Sequence, residues 1–120
     1  MLTIKEKIDP AFVPASGLGM IFEARSGDEL LGVCRFSVDR TKVTVVGGAC
    51  DDSSVLDGLV RAGLFAAMDR GAEVFECAVP EPELRALLDA LGIPARGRLD
   101  LFFSGGCKGG CTGDCTSCRG

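Results

Sequence analysis

The chain has 120 residues, 47% hydrophobic and 25% charged, with a net charge of −4. This length sets one domain with enough apolar side chains for a core, and the acidic balance with scattered Lys and Arg leaves no footprint for nucleic acid. No apolar run is long enough to span a membrane, and the start, Met1-Leu2-Thr3-Ile4-Lys5-Glu6, lacks the apolar stretch of a signal peptide, so a cytoplasmic location is expected.

In chain order, Leu2, Ile4 and Ile8 alternate with polar residues and predict a short strand. Pro10, Pro14, Ser16 and Gly17 mark a loop. Leu18, Met20, Phe22 and Ala24 alternate again, and Ser26-Gly27-Asp28 turns the chain. Leu30 to Val38 reads as a third strand, apolar on both faces apart from Arg35 and Ser37. Asp39-Arg40-Thr41 turns tightly into a β-branched strand from Lys42 to Cys50. Short turns between these strands predict an antiparallel meander.

The period then changes. Val55, Leu56, Leu59, Val60, Leu64, Ala67 and Met68 recur at helical spacing. Asp52 or Ser53 can cap the start, Ser54 with Asp57 resembles a capping box, and Gly71 closes the helix. Val74 to Val79 predicts a buried strand. Pro82 suits the first turn of a second helix, whose stripe is Leu84, Leu87, Leu88 and Leu91, with Gly92 after it. Leu99 to Phe103 predicts a last strand. The stretch from Lys42 to Val79 fits one right-handed β-α-β crossover. The fold class expected is α+β, a mixed sheet with an antiparallel meander, one crossover and two main helices. It occupies residues 1–103, and residues 104–120 form a Gly- and Cys-rich tail.

The chain contains no His, Tyr or Trp, which removes the commonest general base and the phenolic acid. It contains 7 cysteines. Cys34, Cys50 and Cys77 lie in apolar segments and read as small hydrophobes, with Cys50 and Cys77 also able to face a cleft between neighbouring strands. Glu76 interrupts an apolar strand and reads as the solvent-facing alternate of an edge strand, with a partly buried general base as the alternative. Arg96 and Arg98 read as a solvated turn. An exposed edge strand could also pair with a second copy to give a homodimer.

The other four cysteines, Cys107, Cys111, Cys115 and Cys118, are spaced C-x3-C-x3-C-x2-C in a tail without any other apolar side chain. Such a tail has no core of its own, but four close thiolates can wrap a soft metal centre. These four are the candidate metal ligands, for zinc or an iron–sulfur cluster. Glycines, Thr112, Thr116 and Ser117 favour the tight turns and N–H···S bonds that a thiolate site needs. Phe102 or Phe103, just ahead of the tail, could shelter it. Free thiols and disulfides are the other states open to this segment. Gly105-Gly106 before the cysteines also resembles the double-glycine boundary of a modified-peptide precursor.

The order of elements, with Val45-Val46-Gly47-Gly48, Leu56-Asp57-Gly58-Leu59-Val60-Arg61-Ala62, Arg70-Gly71-Ala72 and Leu91-Gly92-Ile93 at its joints, resembles the GNAT fold of acyl-CoA N-acyltransferases over residues 1–103. In that family two neighbouring strands splay apart, acyl-CoA slots between them, and its pyrophosphate meets backbone N–H groups at a helix start. The family's [R/Q]-x-x-G-x-G/A loop corresponds to Asp51-Asp52-Ser53-Ser54-Val55-Leu56, which lacks the basic residue and both inner glycines. Two carboxylates there repel a pyrophosphate. The position of the family's catalytic Tyr is Leu88. The resemblance therefore implies the fold but carries over no catalytic or acyl-CoA-binding residue. The expected function is a non-catalytic or accessory module for an unidentified protein or small molecule, with a four-cysteine metal site. An acyl-CoA-dependent acyltransferase with an atypical loop is the alternative.

Overall fold

The computed structural model describes residues 2–7, 12 and 17–104. It is α+β, with six strands in one mixed sheet and three helices. The strands are β1 (Leu2–Lys7), β2 (Leu18–Ser26), β3 (Glu29–Asp39), β4 (Lys42–Cys50), β5 (Val74–Cys77) and β6 (Arg96–Arg98). The helices are α1 (Ser53–Asp69), α2 (Pro82–Ala90) and α3 (Leu99–Ser104). Strand order in the sheet is β1-β2-β3-β4-β5-β6. All neighbours are antiparallel except β4 and β5, which run parallel because α1 carries the chain back across the sheet.

Alternation on the strands decides which face is buried under α1. Phe22 and Ala24 of β2, Cys34 and Phe36 of β3, and Val43 and Val45 of β4 belong to the core. Phe22 and Phe36 meet edge-to-face at 6.0 Å. From the helix side, Val55, Leu56, Leu59, Val60, Leu64 and Ala67 close over them. Gly63 sits where the Phe36 ring comes closest, and a Cβ there would overlap the ring. The α1 stripe read from the sequence is thus the packed stripe. α2 lies beside α1 and against β4, burying Leu84 and Leu88.

Helix starts follow their local chemistry. Asp52 caps α1, its carboxylate accepting from the backbone N–H groups of Ser54 and Val55. The Ser54 hydroxyl also donates to it, at 2.7 Å, so Ser54 supports this cap rather than forming a separate capping box with Asp57. Asp57 instead pairs with Arg61 one turn on, at 3.0 Å. Pro82 stands in the first turn of α2.

One predicted element differs. The run from Leu99 to Phe103 is helix, not strand, and the last strand is the preceding Arg96-Gly97-Arg98. Arg96 and Arg98 therefore belong to a strand paired with β5 rather than to a turn. The Leu99 N–H donates to the Glu73 carbonyl at 2.9 Å, and beyond it the chain coils so that Phe102 can reach Phe75, 5.2 Å away. Side-chain docking onto the finished sheet outweighs the strand propensity of an apolar run. α3 runs to Ser104, the last of the described residues.

Candidate functional site

β4 and β5 pair over four residues only, from Lys42↔Val74 to Val45↔Cys77. The Ala78 N–H then donates to the Val45 carbonyl at 2.9 Å, the last bond across this pair. β4 continues to Cys50, whereas β5 ends and the chain swings through Pro80-Glu81 into α2. The two strands diverge where β4 also bulges. Arg35 faces Gly47 and Phe36 faces Val45, so Val46 is extra on β4. The bulge lets β4 follow β3 beyond the point where its pairing with β5 stops.

Three residues from three elements meet just past that point. Gly47 lies on β4. Arg35 reaches across from β3, and Glu81 comes from the start of α2. Arg35 and Glu81 approach to 3.7 Å over Gly47, where a Cβ would lie 3.2 Å from both carboxylate oxygens. Glu81 Oε1 is buried and has no hydrogen-bond partner among the described residues, so it stands as an unused acceptor where the two strands part. An amine or hydroxyl donor would satisfy it. Arg35 also lines a cavity of about 380 Å³ on the sheet face away from α1, with Lys7, Phe12, Ile21, Glu23, Leu30 and Val33. Glu23 is buried there and held below the usual carboxylate range, first by the hydrogen bond from Arg25 at 2.8 Å.

Sequence reasoning missed the Arg35–Glu81 pairing. The signals present were a single Arg in a largely apolar strand and a Glu fixed between two prolines. Neither says which partner the fold brings across.

The body cysteines fall on separate places. Cys34 is fully buried on β3. Cys77 is half-buried at the end of β5, with its thiol 3.7 Å from the Pro94 carbonyl. Cys50 is half-buried at the end of β4, and its thiol donates to the Asp52 carbonyl at 3.3 Å. Cys77 stands beside Val45 at the mouth of the divergence, while Cys50 lies opposite Gly32, farther along β4. Burial pushes the Cys34 thiol up to about 12 and the Cys77 thiol up to about 11, and burial also raises Cys50. All three therefore stay protonated near neutral pH and are poor nucleophiles.

A pH dependence follows. Below the ordinary thiol range, near 8.5, folded and unfolded Cys34 are both protonated. As pH rises from there toward about 12, only the unfolded thiol ionises, so stability falls. Thermal melts between pH 8 and pH 11 should show a declining Tm, with a shallower decline in Cys34→Ala. Identical slopes would remove Cys34 as a source.

Glu76 faces solvent and accepts from Lys42 Nζ at 3.0 Å, which holds its carboxyl below the usual range. It does not lie on an edge strand, however, because β6 covers the far side of β5. Phe102 and Phe103 contact each other, at 5.1 Å. No group of three or more His, Cys, Asp or Glu that could hold a metal occurs among the described residues. Cys107, Cys111, Cys115 and Cys118 lie outside the described residues.

No protein-family model matches this chain, and no curated protein matches it significantly. Among the described residues no helix is long and apolar enough to cross a membrane.

Proposed function

We propose that this protein is a non-catalytic or accessory domain of GNAT-like build whose working part is a four-thiolate metal centre. Cys107, Cys111, Cys115 and Cys118 would hold zinc or an iron–sulfur cluster. Zinc would supply a structural clasp, and a cluster would supply electron transfer. The observation that carries this reading is the Asp52 cap. Its carboxylate already accepts the first free N–H groups of α1, beside the open end of β4, where an acyltransferase of this build would seat a pyrophosphate. With raised thiols in the body as well, the ligand chemistry falls to the tail. Close-set thiols keep their metal-binding form in a reducing compartment, which supports a cytoplasmic location. β1 is an outer strand of the sheet among the described residues, and its edge is the route by which a second copy would pair to form a homodimer.

The test is anaerobic purification of the full chain with elemental analysis and a visible spectrum. Stoichiometric zinc or iron is expected, falling at least tenfold in a Cys111→Ser/Cys115→Ser double variant. A metal-free wild type would overturn the proposal.

A second reading, an acyltransferase with an atypical loop, is favoured by the divergence of β4 and β5 and by the open Glu81 oxygen inside it. Calorimetric titration with acetyl-CoA separates the two. Micromolar binding supports the enzyme, and no heat at millimolar ligand supports the accessory domain.

A further inference from the structure

Phe65 of α1 has 60% of its surface exposed. It is one end of a row of rings. Phe65 meets Phe103 edge-on at 5.8 Å, Phe103 meets Phe102 at 5.1 Å, and Phe102 meets Phe75 at 5.2 Å. The row runs from the core at Phe75 out to solvent at Phe65. Arg61, one helical turn before Phe65, lays its guanidinium over the Phe102 ring, 4.9 Å from the centroid. Apolar ring surface and a positive charge thus share one patch on α1 and α3.

Connectivity says what reaches this patch. α3 ends at Ser104, immediately after Phe103. Only Gly105 and Gly106 separate Ser104 from Cys107. Three residues span at most about 11 Å, and a metal–sulfur bond adds about 2.3 Å. A metal on Cys107 is therefore tethered within about 15 Å of the end of α3. Residues 105–120 offer no apolar side chain except their cysteines, so this segment cannot cover a metal by itself. Four thiolates on a divalent ion also leave a net negative centre, which a nearby guanidinium offsets.

Building on the metal-binding reading, we infer that the four-thiolate centre seats on the patch formed by Phe65, Phe102, Phe103 and Arg61. The rings exclude water from the sulfurs, and the Arg61 guanidinium, whose Nε is held by Asp57 at 3.0 Å, lies beside them. An apolar shell of this kind slows metal loss by limiting solvent and competitor access.

The experiment uses the full chain with Phe65→Trp, which supplies the sole indole because the protein has no Trp. Anaerobic titration with Zn(II) should move the Trp emission to shorter wavelength as the indole loses water, at any protein concentration. In parallel, Phe65→Ser and Arg61→Gln should release zinc to a chelator about tenfold faster than wild type, with unchanged helical circular dichroism. Stoichiometric zinc with unmoved emission, or with equal release rates, overturns the seating and leaves the metal centre standing. A chain that binds no zinc removes both. An emission shift that follows protein concentration rather than zinc means that a second copy covers the patch, and also overturns the inference.

Discussion

Phe36→Ala is expected to lower the free energy of unfolding by about 3–5 kcal/mol. Phe36 is completely buried, touches Phe22 edge-on, and faces α1 at Gly63. Removing the ring leaves a cavity between β3 and α1 that a rigid sheet cannot close. Against a typical total of about 5–15 kcal/mol, that loss approaches the edge of folding. The fit has a second side. Gly63→Ala places a methyl group into the Phe36 ring, and overpacking of this kind costs about 1–3 kcal/mol, more than the helix gains from alanine. The two sites must couple, because the clash needs the ring. Gly63→Ala in a Phe36→Leu background should therefore cost less than in wild type. Urea denaturation of the four proteins measures this, and additive losses would falsify the close approach.

Gly48→Ala is the second large effect, about 3 kcal/mol, at the upper end for overpacking because the obstructing atom is backbone. Gly48 pairs with Cys34 just past the bulge, and a Cβ there would overlap the Val33 carbonyl oxygen. A flexible side chain could swing aside, but a carbonyl in the β3–β4 ladder can move only if the ladder opens. The loss should be local as well as global. Amide exchange in a variant that still folds should accelerate at Val33 to Arg35 and Gly47 to Cys50 more than in β2. Uniform acceleration would show that the bulge does not depend on Gly48.

Much of this architecture was readable because it follows periodicity. The alternation of Met20, Phe22 and Ala24 is the buried face of β2, and the spacing from Val55 to Ala67 is the buried stripe of α1. A cap at Asp52 or Ser53 was readable from residue type and position, and the fold uses Asp52. The run from Leu99 to Phe103 was not readable, since five residues with a polar break fit either period. Its state is set by Phe65 and Phe75, ring partners that are far away in sequence. The short span of the β4–β5 pairing was hidden for the same reason. A parallel crossover could be inferred from Lys42 to Val79, but its early end at Cys77 depends on where α2 draws the chain away. The meeting of Arg35 with Glu81 is a product of that divergence rather than of any local motif.

The sheet lays its strands side by side in the same order as they occur along the chain. β2–β3 and β3–β4 therefore close through short turns and β5–β6 through α2, while the β4–β5 pair must wait for α1 to form. Low separation between paired segments favours rapid folding, with the α1 crossover as the slow step. During synthesis the β1–β4 meander can assemble before α1 has emerged, and the whole six-stranded platform precedes the cysteine run in the sequence. The four tail cysteines are thus synthesised after the six-stranded platform, which limits the time they spend beside an unfolded body.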